Sequence, residues 1–129
     1  MNNSNLSEEN KKKIEEAVKE AINKSEVKFD DKLIVYASDL GFNTKDKLIE
    51  FAKDAYLLLI ESSFVKSDNQ NSDFHLHAYE SAMIAKESNV NRLYLTHFWP
   101  SHNKYEYLKE AKKIFKNTYL SNANKKIKL

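Results

Sequence analysis

Three short apolar runs, each ending in a side chain capable of chemistry, restrict this chain more than anything else in it. Leu33-Ile34-Val35-Tyr36-Ala37 leads to Ser38 and Asp39, Tyr56-Leu57-Leu58-Leu59-Ile60 leads to Glu61, and Leu93-Tyr94-Leu95 leads through Thr96 to His97 before Pro100 stops the segment. Such runs are too short for buried helices and too apolar for strands with one wet face, so they read as central strands. Helical patterns lie between and after them. Asn43 or Thr44 caps a helix with Leu48, Phe51, Ala52 and Ala55 on one face. His75-Leu76-His77 opens another with Ala78, Ala82 and Ala85 inward, ending near Asn89, and the loop HFWPSHNK precedes a third with Leu108, Ala111, Ile114 and Phe115 apolar. This alternation predicts right-handed crossovers and an α/β fold with a largely parallel or mixed sheet. Ligands of open α/β sheets collect just beyond the carboxyl ends of the strands, where Asp39, Glu61 and His97 are delivered.

The flanks are less informative. Ser7 caps a helix running through SEENKKKIEEAVKEAIN, whose narrow stripe of Ile14, Val18 and Ile22 marks it as a lead-in over residues 1–26. Residues 27–129 then form the domain proper. It opens with a hairpin in which Val27-Lys28-Phe29 and the run to Ala37 flank an Asp30-Asp31 turn. Gly41, the only glycine, marks a place where the backbone needs either positive φ or close approach to something. Lys66 to Asp73 is a polar loop and the segment expected to be most mobile. Thr118 to Ser121 and Lys126 to Leu129 are expected to finish the chain as short strands.

Composition narrows the chemistry. The 129 residues suffice for one domain, and 41% hydrophobic with 31% charged residues describes a globular chain. With no cysteine, any metal must be held by histidine and carboxylate. Twenty-one basic against nineteen acidic residues is too balanced to argue for nucleic acid by charge alone. No apolar run is long enough to span a bilayer, and the polar, acidic start lacks the pattern of a secretory signal, so a cytoplasmic location and no membrane are expected.

All four histidines, His75, His77, His97 and His102, fall within the second half of the chain. Asp39, His75 and His97 each begin a loop or helix on what should be one edge of the sheet. Carboxylate with neutral imidazole is a ligand set suited to zinc, manganese or iron. A carboxylate with two oxygens can bridge two ions, and a dinuclear centre activates water and clamps the attacking and leaving oxygens of a phosphodiester.

These segments together resemble a family. LIVYASDLG is similar to the strand and aspartate motif, typically YSGDTG, of the metallo-β-lactamase-fold hydrolases. LLLIESSF resembles their next strand, HLHAYESAMIAKESNV their HLTAxEAxxIAKEAxV helix, and RLYLTHFWP their LxLTHFxP segment. The nearest branches are ribonuclease Z and related phosphodiesterase-like hydrolases, and the likeness runs from about Lys32 to Phe115. It implies that Asp39 bridges two zinc ions, that His97 is a terminal ligand of one, and that His75 transfers a proton to the leaving group. Glu61 matches a family glutamate, for which orientation of its neighbours is expected.

The departures are specific. Ala37-Ser38 replaces the small Ser-Gly before the aspartate, Leu40 replaces the following Thr, Phe74 stands for the glycine before the helix histidine, and His77 for the Thr after it. His77 is read as a helix-start residue facing water, the alternative being an added donor. The family's HxHxDH segment, which supplies most of the ligands, has no counterpart before Asp39. The resemblance therefore implies the C-terminal half of an αββα sandwich: a mixed sheet with helices on one face, reached by truncation or gene splitting and inactive or nearly so alone. Its open sheet face is expected to take a complementary N-terminal half or a second copy. The complete enzyme would act on RNA or another phosphodiester. The alternative is a non-catalytic small α/β binding module.

Overall fold

The computed structural model describes residues 7–24, 34–100, 102–124 and 126–128. The chain falls into two compact units, one up to Asp31 and one from Lys32 onward. The first carries helix α1 (Glu8–Lys24), with Glu8 and Glu9 in its first turn and the Ser7 hydroxyl accepting from the Asn10 N–H at 3.2 Å. Those acids and that cap satisfy the amide-rich, partly positive end of the helix.

In the second unit every strand but the last is followed by a helix. β1 (Ile34–Ala37), α2 (Lys45–Ala52), β2 (Leu57–Glu61), α3 (Ala78–Ser88), β3 (Arg92–Thr96), α4 (Lys104–Lys112) and β4 (Thr118–Leu120) succeed one another. The sheet order is β1-β2-β3-β4 and all three pairings are parallel. The expectation of a mixed sheet is thus corrected for the described residues. Each pair of neighbouring strands is joined through a helix, and a crossover of that length returns the chain in the same direction. The first arm of the expected hairpin, Val27 to Phe29, lies outside the described residues.

One face of the sheet carries the core. Val35 and Ala37, Leu58 and Ile60, Leu93 and Leu95 pack with Leu48 and Ala52 of α2, Ala78, Ala82 and Ala85 of α3, and Tyr107 and Ala111 of α4. Small residues on α3, between the other two helices, let its backbone sit close to the strands. Phe51 departs from its expected inward position and is exposed. Ala55 is buried but lies beyond the end of α2. The opposite face carries the row Tyr36, Leu59, Tyr94 and Tyr119, with the Tyr94 and Tyr119 rings stacked at 5.1 Å. There Ile34 and Tyr36 are 51% and 63% exposed. The Lys126 to Lys128 tail forms no strand; instead the Lys128 carbonyl accepts from the Arg92 guanidinium at 2.6 Å.

Gly41 resolves its two alternatives in favour of close approach. Its φ is −93°, open to any residue, but a Cβ would stand 2.1 Å from the Asp73 carbonyl oxygen. Beside it the Phe42 N–H donates to the Ser72 carbonyl at 2.8 Å, so the loops after β1 and before α3 are pressed together here. Gly41→Ala must force backbone against backbone. It is expected to cost about 1–3 kcal/mol in urea denaturation, and an unchanged midpoint would show that the two loops are free to part.

Candidate metal centre

The carboxyl ends of β1, β2 and β3 lie side by side, as the parallel order requires. Just beyond them Asp39, His75 and His97 each place one ligand atom within 4.8 Å of the others. The His97 Nε2 is 3.9 Å from the Asp39 carboxylate, and the His75 and His97 rings stack at 5.8 Å. The Asp39 and His97 side chains are half exposed or more, whereas His75 is partly buried. Two of the three have left-handed backbone, Asp39 at φ 55° and His97 at φ 60°. Non-glycine residues seldom adopt it, and the energy it costs is held by the surrounding packing.

What holds these loops is Glu61, fully buried at the end of β2. Its carboxylate accepts from the Leu40 N–H at 2.6 Å, from the Ser63 hydroxyl at 2.8 Å, and faces the His75 Nδ1 at 2.9 Å. Ser63 also lies 3.3 Å from the His97 carbonyl. One carboxylate therefore ties the residue after Asp39, the ring of His75 and, through Ser63, the backbone of His97. With Nδ1–H donating to Glu61, His75 presents Nε2 to the cluster, the arrangement by which a carboxylate fixes a metal-binding imidazole.

His77 is not the water-facing residue expected from sequence. It is 4% exposed, its ring Nδ1 2.6 Å from the Glu80 carboxylate and 3.0 Å from the Ser72 hydroxyl. Glu80 also accepts from the His77 N–H at 2.9 Å and from Ser72 at 2.6 Å. The spacing of a helix-start residue and an acid three positions on was a visible signal for this closure. The network buries His77 while anchoring the loop that carries His75, and α3 begins at Ala78 rather than at His75.

His102 stands apart from the cluster. Its Nε2 meets Asp68 at 2.5 Å and its Nδ1 meets Glu106 at 2.9 Å. The hydrogen bond it donates to Asp68, helped by both negative charges and opposed by burial, raises its pKa above the ordinary 6.5. Burial alone would raise Asp68, but hydrogen bonds from His102 and the Val65 N–H outweigh it and hold Asp68 below the ordinary 3.8. The stability from His102 is fully present below its unfolded pKa and is lost as pH rises through the raised folded value. That from Asp68 is present above its own unfolded pKa and is lost as pH falls through the depressed folded value. The clamp is thus strongest between the two ordinary values. His102→Asn should flatten the decline in melting temperature on the alkaline side of that window; an unaltered slope would show that the clamp does not contribute.

A cavity of about 560 Å³ opens against His97, lined also by Thr96, Phe98, Pro100, Lys104 and Ser121. Among the described residues no helix is long and apolar enough to cross a membrane.

No family model matches the chain. Over 89 residues it is 35% identical to a ribonuclease Z from Sulfurisphaera tokodaii, a match covering 68% of this chain and 30% of that protein. Over 83 residues it is 37% identical to the probable metallo-hydrolase YhfI of Bacillus subtilis, covering 64% of this chain and 33% of the relative. The crystal structure of YhfI, a metallo-β-lactamase-fold protein, superposes with a TM-score of 0.61 at 31% identity, over 68% of this chain and 36% of that one. The chain carries part of a metallo-β-lactamase fold. It spans about a third of the length of these relatives. In this metallo-β-lactamase-like unit the donor set fits a metal. Ligands bound at about 2.1 Å lie no more than roughly 4.2 Å apart. The Asp39–His97 pair meets that limit, and the full set at 4.8 Å closes by a small side-chain movement.

Proposed function

We propose that this chain supplies part of a zinc-dependent hydrolytic centre acting on phosphodiesters, in the manner of ribonuclease Z. The convergence of Asp39, His75 and His97 beyond three adjacent strand ends carries this reading. Asp39, exposed and with both oxygens unengaged by other described residues except the distant His97 contact, is suited to serve two ions. His97 is suited to end-on ligation through Nε2. His75, backed by the buried Glu61, is suited to hold a proton and give it to a departing alkoxide, a poor leaving group unless protonated. Bound zinc would lower the pKa of its water and polarise the phosphoryl oxygen.

Asp39 and His97, even with His75 added, are fewer donors than two zinc ions need, so this reading calls for further ligands from outside the described residues. The face carrying Ile34 and Tyr36 is where a second sheet would pack, at about 10 Å, to complete the sandwich. Tested alone, the chain is expected to bind metal weakly and to be nearly inactive.

Cobalt and zinc titration followed by imidazole NMR tests this reading. The His75 and His97 resonances should respond saturably, and Asp39→Ala or His97→Ala should weaken binding roughly tenfold or more. Imidazole signals indifferent to millimolar metal between neutral and mildly alkaline pH would favour the non-catalytic module instead.

A further inference from the structure

A second cavity, of about 710 Å³, shares no residue with the Asp39, His75 and His97 cluster. Its floor is apolar, built from Val65, Tyr79 and Ile114, and its rim carries Lys66, Lys109 and Lys113. Lys66 belongs to the short 3₁₀ turn Lys66–Asp68, Tyr79 to the first turn of α3, and Lys109 to α4, with Lys113 capping that helix.

The charges here are unequally used. Glu110 and Glu106 also line the groove, but both are engaged. Glu110 accepts from the Lys66 N–H at 2.7 Å and the Tyr79 N–H at 3.1 Å, while Glu106 pairs with His102. Among the described residues none of the three lysines forms an ion pair. Lys109 and Lys113 stand one turn apart, where like charges repel. Lys109 and Lys112 both stand in the last turn of α4, where cations are favoured, but only Lys109 lines the groove, where Lys66 and Lys113 join it. The Lys66 ammonium is held 5.9 Å above the Tyr79 ring, so one cation sits directly at the apolar floor.

From this placement we infer that the groove binds a phosphorylated ligand with a flat apolar body, of the nucleoside monophosphate class. The lysines take the phosphate, and the base lies against Tyr79 and Ile114. The volume is in the range of small-molecule clefts, roughly 300–1,000 Å³, and far exceeds what a bare phosphate fills. The site does not depend on the proposed hydrolytic centre.

The test is titration of the full chain, ¹⁵N-labelled and free of added metal, with adenosine monophosphate, adenosine and inorganic phosphate in turn. Adenosine monophosphate should shift the amides of Lys66, Ser67 and Tyr79 saturably, binding roughly tenfold tighter than either fragment. Lys109→Gln and Lys113→Gln should each weaken it several-fold, Lys109→Arg should restore it, and Lys112→Gln should leave it unchanged. Thermal melts establish that each variant is folded. The inference is overturned by no saturable shift at millimolar nucleotide, by phosphate binding as tightly as the nucleotide, or by Lys112→Gln weakening binding as much as the groove lysines.

Discussion

Glu61→Ala is expected to destabilise the chain by roughly 3–5 kcal/mol, the cost of breaking a buried charged network by removing one partner. Three donors are left facing a cavity: the Leu40 N–H, the Ser63 hydroxyl and the His75 ring. Of the three, only the Ser63 hydroxyl has a second acceptor in reach, the His97 carbonyl at 3.3 Å. Glu61→Gln separates packing from hydrogen bonding, because it keeps the volume but offers one accepting oxygen where the carboxylate offers two. Its NH₂ must confront a donor, so a smaller loss of roughly 1.5–3 kcal/mol is expected. The loss should be accompanied by a change in the His75 tautomer ratio, readable from imidazole nitrogen shifts. A Glu61→Ala variant that melts within a degree of the parent would mean that the three loops hold themselves, and the account of the site would fail with it.

That dependence separates what the sequence discloses from what it conceals. The strands and most helix faces were legible because burial imposes period: Leu58, Ile60, Leu93 and Leu95 could be placed in the core from their runs alone. The meeting of Asp39, His75 and His97 was legible for a topological reason, since parallel strands deliver their exits to one edge. Phe51 was misplaced because an eight-residue helix gives its end residues too little context to fix a face. His77 was misplaced because burial of an imidazole depends on partners: the spacing to Glu80 signalled a closed helix start, but nothing in the order of residues says that Ser72 folds back onto the ring. The left-handed backbone at Asp39 and His97 was invisible for a related reason. Aspartate and histidine tolerate that region better than most residues, so no glycine marks it. Ser63, which joins two of the three site loops, follows Glu61 by two positions and gave no periodic signal at all.

Tyr107 is the other position where one substitution should have a large effect. Its side chain is fully buried on α4, and its hydroxyl lies 3.2 Å from the Ser63 carbonyl and 3.0 Å from that of Trp99. The ring packs against Phe98 at 5.0 Å. A helix on the core face thereby holds both the segment after β2 and the loop that leaves β3 through His97. Tyr107→Ala removes the ring as well as the bond and is expected to cost roughly 3–5 kcal/mol, a large share of the roughly 5–15 kcal/mol that stabilises a typical domain. Tyr107→Phe removes only the hydroxyl, for about 1 kcal/mol, because one proton is shared between two carbonyls and the Trp99 N–H still donates to the Ser63 carbonyl at 3.3 Å. The informative readout is local. In Tyr107→Phe the amides of Phe98 and Trp99 should exchange faster with solvent while those of β2 do not, since the released carbonyl belongs to the loop and not to the strand. If exchange quickens uniformly, the hydroxyl acts only through global stability. The left-handed turn at His97 would then have to be held from the Ser63 and Glu61 side alone.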